Sequence, residues 1–461
     1  MPVSAARQIA FDVLSRVNTE GAYASDALHA ELNANVKATD AALATELTMG
    51  VLRWLRLLDF LIDRASKKPI ARLDPPVAIA LRIGLYQLRF MQKIPAHAAV
   101  HESVELVRRA RKSSATTFVN AVLRKASVEI NKPAEEYLSD ELPLAQRLGI
   151  LHSHPTWLIE RWLSRLGAAE TTKLLRSNNQ SPRLSCAASD PRARAAVIEE
   201  LTQSHLSIEP GRLLQSAFSV SGGSASRTRA FREGRISIQD EASQAVPLLL
   251  DVQPGNRVLD LCAAPGGKTA ILARIAGANG FVLAADLYGH RLRATQAQLG
   301  RLHLENIALA AVDAARPLPF RGNFERILVD APCSGTGTLA RHPEIRWRLQ
   351  SSQLREFHQL QVAILSNAVA LAAPGSRILY STCSLEPEEN ENVIETVLST
   401  PTYGTGTIRR ESAAESAVLL KPHLADGVKV KQLVDESGAI RTSPSRDGTD
   451  GFFAAVLIKQ E

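Results

Sequence analysis

Apolar positions recur at helical spacing along the front of the chain. Ala10, Val13, Leu14 and Val17 fall on one face, as do Val51, Leu55, Leu58 and Ile62, and then Val77, Leu81, Leu85 and Leu88. Pro69, Pro75, Pro76 and Pro95 stand between these runs as breakers. The pattern predicts an all-helical domain over 1–140. From Asn131 to Pro143 the chain turns polar and proline-bearing, which marks a linker. A further helix is predicted from His154 to Gly167, with Trp157, Leu158 and Trp162 facing inward. Short apolar runs then follow up to Arg235, broken by Pro182, Pro191, Pro210 and the tract Ser219–Ser226. Residues 141–235 therefore read as a linker helix and a small mixed α+β domain.

After Ile236 the period changes. Arg257–Leu261, Phe281–Asp286, Ile307–Asp313, Arg326–Asp330 and Arg377–Ser381 are short β-rich runs separated by helical stretches. That alternation predicts a parallel, doubly wound sheet, a Rossmann-like α/β domain over 236–461. Val428–Leu433 and Phe452–Ile458 are expected to add a hairpin at its edge. No internal repeat is evident.

Composition narrows the class. A chain of 461 residues holds two or three domains, and 45% apolar content can bury large cores. No run of about 18 uncharged apolar residues occurs, so no membrane span is expected. Met1–Arg16 lacks the apolar core of a signal peptide, which points to the cytoplasm. A net charge of +7 suggests a polyanionic partner. The densest basic stretch runs from His101 to Lys125, where Arg108, Arg109, Arg111, Lys112, Arg124 and Lys125 outnumber Glu102 and Glu105. Such a face suits phosphates. The four cysteines, Cys186, Cys262, Cys333 and Cys383, form no CxxC pair, which argues against a metal site and against a disulfide framework.

Candidate chemistry gathers at the strand ends. Asp260, Asp286, Asp313 and Asp330 each stand at or near the carboxyl end of a predicted strand, where open α/β sheets bind ligands. The first turn reads Cys262-Ala263-Ala264-Pro265-Gly266-Gly267-Lys268-Thr269. Its glycines let backbone approach a ligand, and the helix amino end favours a carboxylate. It is neither a dinucleotide-binding nor a phosphate-binding glycine loop, which disfavours NAD and ATP. Asp286 follows the second strand, where carboxylates grip ribose hydroxyls, and Asp313 would sit beside an adenine. Sugar and adenine contacts without a phosphate loop suit S-adenosylmethionine.

Two thiols follow later strands, in Asp330-Ala-Pro-Cys333-Ser-Gly335 and Tyr380-Ser-Thr-Cys383-Ser384. Two thiols at the ligand edge of one sheet are poorly explained as packing. Carbon 5 of cytosine becomes nucleophilic only after something adds to carbon 6, and a thiolate can do this. A carboxyl group at ring nitrogen 3 would offset the charge that develops, and Asp330 is placed for it.

At these residues the sequence resembles the RNA 5-methylcytosine methyltransferases. The resemblance rests on Asp260–Thr269, Asp330–Gly335, Ser381–Ser384 and Pro387-Glu-Glu-Asn390. It extends to Phe231–Gly234, Gln239–Gln244, Arg341–Glu344 with Trp347, and Asp450–Phe453. The front half is similar to the NusB-like RNA-binding domain. The resemblance implies Cys383 as nucleophile, Cys333 as the thiol that aids product release, and Cys262–Lys268, Asp286, Asp313 and Asp330 as the residues for S-adenosylmethionine or the target base. DNA cytosine methyltransferases instead use the Pro-Cys cysteine, here Cys333, and Thr382-Cys383 favours the RNA family. The family more often has polar or acidic residues where this chain has Leu287-Tyr288-Gly289-His290. The implied substrate is 16S rRNA, with neither DNA nor membrane as a partner, and the chain is read as a monomer. The alternatives are an enzyme acting on tRNA or another RNA, and a non-catalytic RNA-binding or antitermination factor.

Overall fold

The computed structural model of the chain describes residues 3–32, 35–320, 324–400 and 407–460, so Met1 and Pro2 of the opening segment lie outside it. Prolines set the starts of many front helices. Pro75 lies in the first turn of its helix, while Pro95, Pro143 and Pro155 stand one residue before theirs, where the missing N–H costs nothing. The helices are α1 (Ala5–Thr19), α2 (Ala24–Glu31), α3 (Ala38–Arg53), α4 (Leu55–Ser66), α5 (Pro75–Phe90), α6 (Ala96–Arg109), α7 (Thr116–Val128), α8 (Leu144–Leu151) and α9 (Thr156–Asn178). Val51 and Leu55, one apolar run in the sequence, lie on separate helices that meet at Trp54. α9 continues past the predicted end at Gly167, which breaks it with φ +74°. Leu158 and Trp162 are buried there, and Trp157 is half-buried. Leu14, Leu47, Leu58, Leu81, Leu85 and Leu106 centre the helical core.

The chain packs as two compact units. One contains the chain up to Gln180 together with Leu339–Leu349, and the other contains Ser181–Thr338 and the chain from Gln350 on. The division at Gln180 falls inside the range read as linker helix and mixed domain. The excursion of 339–349 into the helical unit is held by Arg346, which is fully buried. Its guanidinium donates to the carbonyls of Arg53, Ser153, Asn178 and Leu339 and to Asn179 Oδ1, all between 2.9 and 3.3 Å. Burial pulls this guanidinium down to about 9.

The second unit has two sheets. β1 (Leu184–Ala188), β2 (Ser207–Pro210), β3 (Ala217–Ser221) and β4 (Ile236–Ile238) form an antiparallel sheet ordered β2-β3-β1-β4. β5 (Arg257–Leu261), β6 (Phe281–Asp286), β7 (Ile307–Ala311), β8 (Arg326–Asp330), β9 (Arg377–Thr382), β10 (Ile408–Arg410), β11 (Ile440–Arg441) and β12 (Phe453–Lys459) form the large sheet. Its order is β10-β12-β9-β8-β5-β6-β7, with β11 pairing from β12. Strands β7, β6, β5, β8 and β9 run parallel, and β12 inserts antiparallel beside β9. Alternate residues serve opposite faces. Val258, Leu328 and Leu379 enter one core, while Leu259, Ile327, Val329 and Ile378 enter the other. This is a Rossmann-like α/β domain, accompanied by the small antiparallel sheet and preceded by an all-α domain.

The expected hairpin of 428–433 with 452–458 does not form. Val430–Gln432 is a single 3-10 turn, and β12 pairs with β9, β10 and β11. The spacing of Val428, Val430 and Leu433 also suits a turn that tucks apolar side chains against the sheet, where they pack. Among the described residues, no helix is long and apolar enough to cross a membrane.

Candidate active site

Because β5, β6, β8 and β9 run parallel, their carboxyl ends share one edge of the sheet. β5 ends at Leu261, and Cys262 follows with φ +63°, a left-handed backbone that side chains other than glycine rarely adopt. The turn closes at Gly266, φ +94°, where a Cβ would stand 2.8 Å from Thr295 Cγ2. Glycine alone satisfies both conditions. The helix Gly267–Ala276 starts at the next residue. Asp286, buried at the end of β6, accepts the N–H groups of Ala264 at 3.2 Å and Tyr288 at 3.1 Å, and Arg291 lies 3.4 Å from its Oδ2. Asp313 lies beyond β7, which ends at Ala311, and its carboxylate takes the Ala315 N–H at 3.0 Å and the Arg316 guanidinium at 3.2 Å.

Below the loop, Asp260 is fully buried. Its Oδ2 accepts from Thr269 Oγ1 at 2.6 Å, and its Oδ1 has no partner among the described residues. Burial pushes its carboxyl up to about 7. A glycine turn with no room for a side chain, a helix amino end and a buried carboxylate at the next strand end make a cradle suited to S-adenosylmethionine.

Asp330 joins this cradle to the thiols. Lys268 Nζ donates to its Oδ2 at 2.7 Å and lies 4.9 Å from the centre of the Phe452 ring, while Ser381 Oγ donates to its Oδ1 at 2.8 Å. Ser381 is the register partner of Asp330 across β8 and β9. Beyond that pair the two loops converge, and Cys333 Sγ lies 3.2 Å from Cys383 Sγ. The hydrogen bond with Cys383, and then burial, push the Cys333 thiol well above the ordinary thiol range. Burial also raises Cys262, and it pushes Cys186, on β1 of the small sheet, up to about 12.

Sequence reasoning singled out both cysteines but missed the residue between their loops. Glu389, wholly buried, accepts from Ser334 and Ser384, the residues that follow the two cysteines. The signal was present as Pro387-Glu-Glu-Asn390 shortly after Cys383, and as a serine after each cysteine. In the helical unit, the basic stretch is partly neutralised. Arg108 pairs with Glu105, and Lys112 with Asp74 at 2.8 Å. Arg109 and Arg111 are exposed, and neither side chain has an ion-pair or hydrogen-bond partner among the described residues.

The sheet order and the loop after β5 define the Rossmann-like methyltransferase class. Residues 247–458 match the family model of the 16S rRNA methyltransferase RsmB/F, and residues 4–127 match the NusB family. The chain is 31% identical over 464 residues to the probable ribosomal RNA small subunit methyltransferase B of Bacillus subtilis (strain 168), covering 100% of both proteins. It is 34% identical over 400 residues to the protein of the same description from Synechocystis sp., covering 85% of this chain and 89% of that one. The crystal structure of PH0851 matches with a TM-score of 0.80 and 26% identity, covering 100% of each chain. The chain belongs to the RsmB/F family of ribosomal RNA small-subunit methyltransferases and carries a NusB-family domain at its front. It is by that membership a methyltransferase of RNA that draws on S-adenosylmethionine.

Proposed function

We propose that this chain methylates carbon 5 of a cytosine in 16S rRNA through a covalent bond to Cys383. The observation that carries the reading is the pair of sulfurs 3.2 Å apart at the sheet edge that also holds Asp330. Cys262–Lys268, Asp286 and Asp313 would hold S-adenosylmethionine, with Asp330 at the border between cofactor and base. When bound, the cofactor supplies an electrophilic methyl group.

The chain's own residues do the rest. The Cys383 thiolate adds to carbon 6 of the cytosine, and the electron pair of the 5,6 double bond shifts to make carbon 5 nucleophilic. The Asp330 carboxyl, held by Lys268 and Ser381, would stand at ring nitrogen 3 and, when it carries a proton, give it to that nitrogen, which neutralises the negative charge that the addition places on the base. After methylation, the proton on carbon 5 passes to solvent water, the 5,6 double bond re-forms as Cys383 departs as thiolate, and the proton at nitrogen 3 returns to Asp330. Cys333, beside it, assists this release.

The chemistry lies within 236–461. The helical domain over 1–140, with exposed Arg109 and Arg111, and the mixed domain within 141–235 serve to place the RNA. Tritium transfer from labelled S-adenosylmethionine to 16S rRNA, tRNA and duplex DNA, assayed side by side, tests the substrate. Label in 16S rRNA alone is expected, and preferential labelling of tRNA or DNA would overturn the assignment.

A further inference from the structure

The two cysteine loops arise from different strands, and one side chain that belongs to neither ties them together. Glu389 sits at the end of the 3-10 turn Pro387–Glu389. Its Oε1 accepts the Ser334 backbone N–H at 2.7 Å and Gln361 Nε2 at 3.1 Å. Its Oε2 accepts the hydroxyls of Ser334 and Ser384, the latter at 2.5 Å. Burial raises this carboxyl above its ordinary range, and four contacts that can all be donors pull it back toward the ionised form. Among the described residues no cation pairs with it. Its backbone is pinned as well, since Tyr380 Oη donates to the Glu389 carbonyl at 2.6 Å, and the next residue holds the Cys383 loop, with Asn390 Nδ2 donating to the Ser384 carbonyl at 2.9 Å.

A buried carboxylate met only by neutral donors is a costly way to join two loops, and apolar packing would do it more cheaply. Its charge is what packing could not supply. Negative charge beside a thiol disfavours the thiolate. The bond to Cys383 and burial raise the Cys333 thiol most, the Glu389 charge adds to them, and a hydrogen bond with the Gly335 backbone opposes them, with the Tyr380 phenol also nearby. Lys268, at this edge, is engaged by Asp330. Cys333 therefore stands where its proton is retained, next to a sulfur that must lose one.

We propose that Glu389 is a positioning residue that makes the two thiols unequal: it sets the close approach of the sulfurs and keeps Cys333 a protonated donor to Cys383. The proposal rests on the reading of Cys383 as the nucleophile. In the attack, the Cys383 sulfur forms its bond to carbon 6 while the Cys333 hydrogen stays on its own sulfur and supports the thiolate across the gap. Glu389 fixes the two loops through its bonds to Ser334 and Ser384, while its charge acts on Cys333 across space.

The test is iodoacetamide alkylation of the full-length protein as a function of pH, followed separately for Cys333 and Cys383 by peptide mass spectrometry, in wild type and Glu389→Gln. The amide keeps the shape but loses the charge and one acceptor oxygen. The Cys333 midpoint is expected to fall by about one pH unit, and kcat to fall about tenfold at unchanged KM for S-adenosylmethionine. A folded Glu389→Gln protein with an unmoved Cys333 midpoint would overturn the proposal, whatever its activity. Should Glu389→Gln not fold, Ser384→Ala removes one of the four bonds and keeps the carboxylate. It should lower kcat several-fold without changing cofactor affinity, and an unchanged kcat would count against the proposal. Alkylation needs no RNA, so its result is separate from the nucleophile assignment, which fails only if Cys383→Ala still turns over.

Discussion

Cys333 and Cys383 lie 50 residues apart in the chain, yet their sulfurs are 3.2 Å from each other. The register explains it. β8 and β9 are parallel neighbours with Asp330 opposite Ser381, and each cysteine follows its member of that pair by a few residues. In a hydrogen bond between the sulfurs one donates and the other accepts, so the two thiols are not equivalent. Each should fail in its own way.

Cys333→Ala is expected to trap the reaction after attack. If Cys333 assists release, the variant accumulates protein–RNA adduct through Cys383, visible on a denaturing gel as a slow, RNase-sensitive band. No band, with turnover unchanged, would return Cys333 to a packing role.

Asp286→Ala should weaken S-adenosylmethionine binding. Hydrogen bonds to a charged group are worth roughly 1.5–3 kcal/mol, so the Kd should rise about 10- to 150-fold by titration calorimetry. The same carboxylate accepts the Ala264 and Tyr288 N–H groups, so the Tm without ligand separates loosening of the loop from loss of a ligand contact. An unchanged Kd would put the cofactor elsewhere.

Much of this site was legible because parallel strands are buried on both faces and end abruptly in a charge. The runs at Arg257–Leu261, Phe281–Asp286 and Arg326–Asp330 have the same bounds in the structure as in the sequence reading. The segment 428–433 was misread because its apolar residues suit a strand and a tucked turn equally. What pairing at long range creates was not legible. Nothing local to Glu389 shows that Ser334 will reach it, since the two stand 55 positions apart in the chain. Nor does the sequence around Arg346 show that its guanidinium will be buried among carbonyls of the helical unit.

Asp260 should make stability fall as pH rises. Its carboxyl is pushed up to about 7 from an ordinary 3.8 by burial. For an acid raised on folding, the stabilising contribution is complete below the unfolded pKa and is lost as pH climbs through the folded one. The window is therefore pH 4 to 7, and a gap of three units corresponds to roughly 4 kcal/mol. Urea titrations of ligand-free wild type and Asp260→Asn across that window should diverge, with the wild type losing stability relative to the variant. Parallel curves would contradict the raised carboxyl.

Arg109 and Arg111 should contribute to the salt dependence of rRNA binding. Each phosphate contact adds roughly 0.7–0.9 to the slope of log affinity against log salt. The double change Arg109→Gln with Arg111→Gln should therefore flatten the slope by about 1.5, while S-adenosylmethionine affinity stays as in wild type. An unaltered slope would place the RNA on another face.

The central claim is that Cys383 attacks cytosine, and it is met most directly by comparing wild type with Cys383→Ala in one experiment. After incubation with 16S rRNA and S-adenosylmethionine, the RNA is digested to nucleosides and 5-methylcytidine is quantified by mass spectrometry, while cofactor binding is titrated in the same preparations. The account predicts new 5-methylcytidine with wild type, none with Cys383→Ala, and closely similar cofactor affinity for the two. Wild-type levels of 5-methylcytidine from Cys383→Ala, or a methyl group at any other position of the RNA, would contradict it.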